Sequence, residues 1–224
     1  MFFGFFSVVS AFHGDFAQAA WSILLAAVFD ALDGRVARLA KATSHFGVEY
    51  DSLCDLVSFG VAPAVLFYLW VAEPWGRIGW MIAFLFLACG ALRLARFNVT
   101  TEVSDSSYFQ GMPIPLAAGL VATFFLFSNA LDFVQLERFR ELAAAFFVIL
   151  ALLMVSSVPF FSFKKVHWQS RATVLVLVLL LGILFLAVWK PDYFLFLTLI
   201  SYVLLNLAGS MVRTLLRKNH EAQS

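Results

Sequence analysis

The chain has 224 residues, of which 62% are apolar, 17% aromatic and only 13% charged; charged residues make up about a quarter of an ordinary soluble domain. That balance excludes a soluble globular domain and indicates an integral membrane protein. A net charge of +1, with Lys and Arg scattered at segment ends rather than gathered in a stripe, excludes a nucleic-acid partner.

The opening run Phe2–Phe12 is apolar but gives only about 16 Å of helix, against about 30 Å of hydrocarbon to be crossed. No Lys or Arg precedes it and no long soluble region follows, which disfavours a cleaved signal peptide. It reads as a shortened first helix. Seven full spans are then predicted, at 19–38, 48–70, 78–97, 112–131, 141–161, 173–189 and 193–211, with connections rich in Pro, Gly and charge. The expected fold class is therefore all-α, a polytopic transmembrane bundle of eight helices. It forms a single domain over residues 1–224, with a polar, basic tail at 213–224.

Lys and Arg accumulate in cytoplasmic connections. If the end of span 19–38 faces the cytoplasm, alternation puts eleven of the 15 Lys and Arg on that side and leaves Arg77, Arg138, Arg140 and Lys190 outside. This predicts a multi-pass protein of the cell's inner membrane, with its tail against anionic membrane lipids. Cys54 and Cys89 lie in apolar runs without C-x-x-C spacing, so they read as small core residues rather than a disulfide or zinc pair.

Two neighbouring spans carry one acidic pattern at their cytoplasmic ends: Asp30, Asp33, Gly34, Ala37 and Arg38, then Gly47, Asp51 and Asp55. Residues three and four apart share a helix face, so Asp30, Asp33, Gly34 and Ala37 form one stripe, and Gly47, Asp51, Asp55 and Ser58 another. The short connection makes the two helices antiparallel neighbours, so the stripes can face each other as a four-carboxylate cage. Each carboxylate costs about 2.5–3.5 kcal/mol at a membrane helix centre and less near the ends, and a divalent cation offsets most of that. Oxygen-only ligation favours Mg²⁺ or Mn²⁺ over Zn²⁺, and Mg²⁺ completes its shell with water and substrate phosphates. A phosphate-bearing substrate is therefore expected. The small residues Gly34, Ala37 and Gly47 leave room for it, and Arg38 offers a planar donor to its oxygens. A single D-x-x-D at a helix end is more often a solvated face, and a Gly-Ala stripe more often a packing seam; the argument rests on all eight positions in one register.

Those eight positions resemble the signature of the CDP-alcohol phosphotransferase family, with none substituted. The resemblance implies an enzyme that moves a substituted phosphate from a CDP-linked donor to an alcohol and releases CMP. It implies Asp30, Asp33 and Asp51 as metal ligands and Asp55 as a ligand or as the general base for the attacking hydroxyl. It also implies that Gly34, Ala37, Arg38 and Gly47 surround the nucleotide, and that an interfacial helix precedes the first span.

Further runs at 51–64, 91–98, 111–115 and 153–156 are similar to the serine-using, membrane-embedded branch of that family. This implies CDP-diacylglycerol as donor and L-serine as acceptor. Arg93 and Arg96, three apart at a cytoplasmic helix end, are candidates for the serine carboxylate or a donor phosphate, although Arg at such an end also snorkels to headgroups. For Lys164 and Lys165 interface anchoring is the stronger reading. Pro113 and Pro115 are expected to shape a helix entrance, Gly60 with Pro63 to bend the span after Asp55, and His45 to be an interface loop residue. The rivals are another acceptor, such as glycerol 3-phosphate, choline or inositol phosphate, and a divalent-cation transporter. Transporters often carry repeated halves, and residues 112–211 hold no second acidic cluster. Assembly is open between monomer and homodimer.

Overall fold

Hydrocarbon offers no water to backbone N–H and C=O groups, so each apolar span closes its own hydrogen bonds as a helix. The computed structural model describes residues 1–39, 44–101, 108–133, 138–161 and 190–221. They form a helical membrane bundle. The elements are α1 (Phe2–Phe12), α2 (Phe16–Leu39), α3 (His45–Asp55), α4 (Ala62–Phe67), α5 (Arg77–Thr101), α6 (Ile114–Ala130), α7 (Phe139–Val155) and α8 (Pro191–Glu221). A π-helical turn at Leu56–Val61 joins α3 to α4, and another at Tyr68–Ala72 continues α4, so these pieces make one continuous rod.

Among the described residues there are thus seven helical rods, not the eight expected; the predicted span 173–189 lies outside the described residues, as do Lys164 and Lys165. Four rods are long and apolar enough to cross a membrane, through Phe16–Val36, His45–Trp75, Arg77–Val99 and Asp192–Ser210, while α1 and α6 are shorter apolar helices. Leu92, Leu152 and Leu205 point out of the bundle, as lipid-facing side chains do.

One predicted span ends early. Span 141–161 ends as a helix at Val155, and residues Pro159–Phe161 instead pair antiparallel with Tyr108–Gln110 as strands β2 and β1. Pro159 cannot donate a helical hydrogen bond and disfavours helical geometry in the residue before it. The helix has already ended by then, with Ser156 extended at ψ 160°.

α1 turns back into α2 at Gly14, whose φ of 81° suits the left-handed end of a helix. Its inner face is a seam of small residues, Gly4, Ser7, Ser10 and Ala11, and the Ser7 hydroxyl donates to the Ala19 carbonyl at 2.9 Å. A Cβ at Gly4 would run into Ser58 on the π turn, so the seam draws α1 onto the rod carrying Asp51 and Asp55. The predicted bend at Gly60 and Pro63 takes the form of that π turn. Pro63 has no N–H to return to Phe59, and the Ala62 N–H reaches five residues back to Val57. α6 begins at Ile114 with Pro113 at its cap and Pro115 in its first turn.

The middle of the bundle is aromatic. Phe147 of α7 stacks between Phe67 (3.9 Å between centroids) and Phe86 (4.5 Å). Towards the far end from the acids, Trp70 meets Phe125 and Phe139 edge-on, and the Tyr193 hydroxyl donates to the Ala130 carbonyl at 3.1 Å.

Gly79 lies against the Ala72 carbonyl, where a Cβ cannot fit, whereas Gly209 has open space around it. Gly79→Ala is expected to destabilise the bundle by about 1–3 kcal/mol. Gly209→Ala should be neutral or slightly stabilising, as Ala is in a helix interior. Thermal unfolding of both variants in one detergent checks the pair.

Candidate active site

Helix periodicity places Asp30 and Asp33 on one face of α2, and Gly47, Asp51 and Asp55 on one face of α3. α3 starts sharply because the Ser44 hydroxyl oxygen accepts from the Gly47 N–H at 3.0 Å, an N-cap that sets the phase of every acid after it. A Cβ at Gly47 would stand 3.2 Å from that hydroxyl, so glycine keeps the cap unstrained.

The two faces converge. Carboxylate oxygens of Asp30, Asp51 and Asp55 lie within 4.8 Å of one another, with Asp51 exposed and the other two half-buried. Asp33 lines the same cavity but stands outside that group. It is three residues further along α2, about 4.5 Å towards the solvent end. The four-acid cage of the sequence reading is thus a group of three with Asp33 at its mouth.

Two carboxylates about 4 Å apart repel by roughly 4 kcal/mol at an effective dielectric near 20, so the trio calls for a cation. Arg93 of α5 faces Asp55 closely enough to interact with it electrostatically, and it is the buried charged side chain among the described residues, at 8% exposure. One guanidinium does not neutralise three carboxylates. The oxygens fit a divalent ion whose ligands stand about 2.1 Å away, after a small side-chain adjustment. The group could therefore hold a metal.

The cavity measures about 170 Å³ and is walled by Phe3, Phe29, Tyr50, Cys54 and Phe59 as well as by the acids, with Ser58 buried at its base. A pocket that swallows a whole drug-sized ligand takes about 300–1,000 Å³, so this one suits a head group or diphosphate, with the remainder of a larger substrate outside. Phe3 stacks on Phe29 with centroids 5.0 Å apart, which makes the short α1 part of the wall. Sequence reasoning did not foresee that wall, because an apolar run carries no sign of its partner. Cys54, read as core, is half-buried on the cavity wall, while Cys89 is buried. His45 opens α3 and is exposed.

Gly34 is half-buried on α2; Ala37 and Arg38 continue that helix, and their side chains lie outside the described residues. Arg93 and Arg96, paired by the sequence, have different surroundings. The Arg93 guanidinium is buried and lies 5.3 Å over the Phe97 ring, whereas Arg96 donates to the Val155 and Ser156 carbonyls, each at 3.2 Å. A guanidinium carries five donors, so these bonds are compatible with a further anion contact. Asn98, expected just past its span, lies within α5, and its amide donates to the Ser52 hydroxyl at 3.0 Å.

Residues 1–155, which include every site side chain above, match the CDP-alcohol phosphatidyltransferase family. The chain belongs to that family. It is 40% identical over 222 residues to the CDP-diacylglycerol–serine O-phosphatidyltransferase of Helicobacter pylori, covering 99% of this chain and 93% of that relative. It is 39% identical over 160 residues to the archaetidylserine synthase of Methanothermobacter thermautotrophicus, covering 70% of this chain and 64% of that one. The Saccharomyces cerevisiae CDP-diacylglycerol–serine O-phosphatidyltransferase is 42% identical over 134 residues, covering 54% of this chain and 48% of its own. For a member of this family, the convergent acids and their cavity are the candidate active site.

Purified protein is expected to bind Mn²⁺, and Asp30→Asn, Asp51→Asn and Asp55→Asn to weaken that binding at least tenfold by titration calorimetry. Glu49→Gln, on the same helix, should bind as wild type.

Proposed function

We propose that this protein transfers the phosphatidyl group of CDP-diacylglycerol to the hydroxyl of L-serine, giving phosphatidylserine and CMP. The reading is carried by one observation: three carboxylates converge opposite a buried arginine in a chain that matches a serine-using relative over nearly its whole length. Serine stands in the names of all three relatives above, the two CDP-diacylglycerol enzymes and the archaetidylserine synthase alike.

Asp30, Asp51 and Asp55, with Asp33 at the mouth, would hold Mg²⁺ or Mn²⁺. Such an ion screens the donor's diphosphate and stabilises the charge that develops on the leaving CMP. Gly34, Ala37, Arg38 and Gly47 form the nucleotide side of the site, where small side chains admit the ligand and Arg38 pairs with phosphate. Arg93 rather than Arg96 takes the serine carboxylate, because its guanidinium is the one buried towards Asp55. Asp55 accepts the proton of the serine hydroxyl as that oxygen bonds to the lipid-linked phosphorus, and the bond to CMP breaks with its electron pair leaving on CMP. Phe3 and Phe29 form the apolar side of the cavity, which limits the approach of water as a competing acceptor.

The bias of Lys and Arg towards the acidic end supports a site facing the cytoplasm from the inner membrane. In this reading residues 1–224 act as one catalytic domain, with 213–224 as its cytoplasmic tail.

Incubation of purified protein with CDP-diacylglycerol, Mn²⁺ and labelled serine should yield labelled phosphatidylserine and equimolar CMP, and EDTA should abolish both. CMP without labelled lipid would sink the acceptor, and no CMP with any alcohol would sink the enzyme. Asp55→Asn should lower kcat by about 10²–10⁴-fold, the usual contribution of a general base, while donor binding persists. Arg93→Lys should raise KM for serine by about tenfold more than KM for the donor, because an ammonium cannot replace the guanidinium's paired bonds.

A further inference from the structure

The last turns of α5 reach in two directions. On one side the Asn98 amide donates to the Ser52 hydroxyl at 3.0 Å, and that hydroxyl lies 3.2 Å from the Val48 carbonyl, which can take its proton. Ser52 follows Asp51 directly and sits in the turn that leads to Asp55. On the other side Arg96 spans the Val155 and Ser156 carbonyls, which lie at the C-terminal end of α7, where a helix leaves acceptors without partners.

The chain at Gly111 is pressed into this second contact. Its φ is 79°, and a Cβ there would meet the Arg96 guanidinium at 2.7 Å and the Ser156 carbonyl at 3.0 Å. Hydrogen bonds from Gly111 to Val158 (2.9 Å) and from Met112 to Leu153 (3.1 Å) tie the same corner to α7. About one turn before the two arms, on the same helix, stands Arg93. A helix is rigid over five residues, so anchoring positions 96 and 98 fixes the depth of Arg93 opposite Asp55.

We infer that the end of α5 is a bracket: Asn98 grips the acid-bearing helix through Ser52, Arg96 grips the end of α7, and together they set the register between Arg93 and Asp55. Asn98, Ser52 and Arg96 are positioning residues, acting on the reaction through groups they hold. The inference rests on the proposed function for the assignment of Arg93 to the acceptor and Asp55 to the proton. A link across helices 46 residues apart in sequence matters most where two groups must meet within a fraction of an ångström, and a misplacement of about 1 Å can cost 10²-fold in rate.

The test uses Ser52→Ala, Asn98→Ala, their double variant, Ser52→Thr and Asn98→Asp in the full chain. Ser52→Ala and Asn98→Ala should each lower kcat/KM for serine by about 10- to 100-fold, with donor affinity within about threefold of wild type. The double variant should be no worse than the worse single one, because both remove one link. Asn98→Asp, whose carboxylate can still accept from the Ser52 hydroxyl as the amide oxygen is placed to do at 3.4 Å, should lose less than Asn98→Ala, and Ser52→Thr, which keeps the hydroxyl, should recover most activity. Wild-type kinetics in the single variants, losses that multiply in the double, or parallel loss of serine use, donor binding and melting temperature would overturn the bracket. Amide hydrogen exchange over 45–58 supplies a readout without turnover: Asn98→Ala should accelerate it, and unchanged exchange overturns the inference. If wild type transfers to no serine, the acceptor reading fails, and the kinetic arm is run with whichever alcohol releases CMP.

Discussion

Mutual repulsion among Asp30, Asp51 and Asp55 is the force that the rest of the molecule is arranged to resist. Two helices bearing like charges on facing sides separate unless packing elsewhere holds them. Here the hold comes from beneath the acids. The small-residue face of α1 packs on both α2 and the rod of α3, with Gly4 seated on Ser58 and Ser7 bonded to Ala19. Close packing of small residues is what membrane helices use in place of a hydrophobic driving force between them. The short first helix thus clamps the pair as well as walling the cavity.

The π turn at Leu56–Val61 has a related effect. An inserted residue rotates everything after it relative to everything before. The acids at 51 and 55 keep one phase, while Ser58 and Phe59 both reach the cavity and Gly60 packs against Leu87 and Ile114. Pro63 enforces the irregularity chemically, because its nitrogen has no proton to give to Phe59. The result is a rod that presents polar groups at one end and a tight apolar surface one turn later, which is the transition a head-group site at a membrane boundary needs.

Much of this was legible because helix period and charge cost are local properties. Spacing alone puts Asp30 with Asp33 and Asp51 with Asp55, and a short connection makes the faces meet. The remainder depends on tertiary contacts that no spacing encodes. Asp33 is one turn nearer solvent than Asp30, which matters only once the partner helix has a fixed depth. Arg96 looks equivalent to Arg93 in the sequence and differs from it because α7 ends beside it. The strand Pro159–Phe161, which pairs with Tyr108–Gln110, falls in a stretch apolar enough to read as span. Pro159 marked the break, but an apolar window outweighed it.

The charge inventory also bears on the proposed acceptor. A zwitterion such as serine adds no net charge to a site that already holds several carboxylates, and its two ends can be matched separately, the carboxylate by Arg93 and the ammonium by an exposed acid such as Asp33. A phosphorylated alcohol would bring two negative charges into the same space and would need more than one buried cation beside Asp55. Among the described residues the buried charged side chain is Arg93. In the proposed reading its single guanidinium, held by the end of α5, answers the one carboxylate that serine brings.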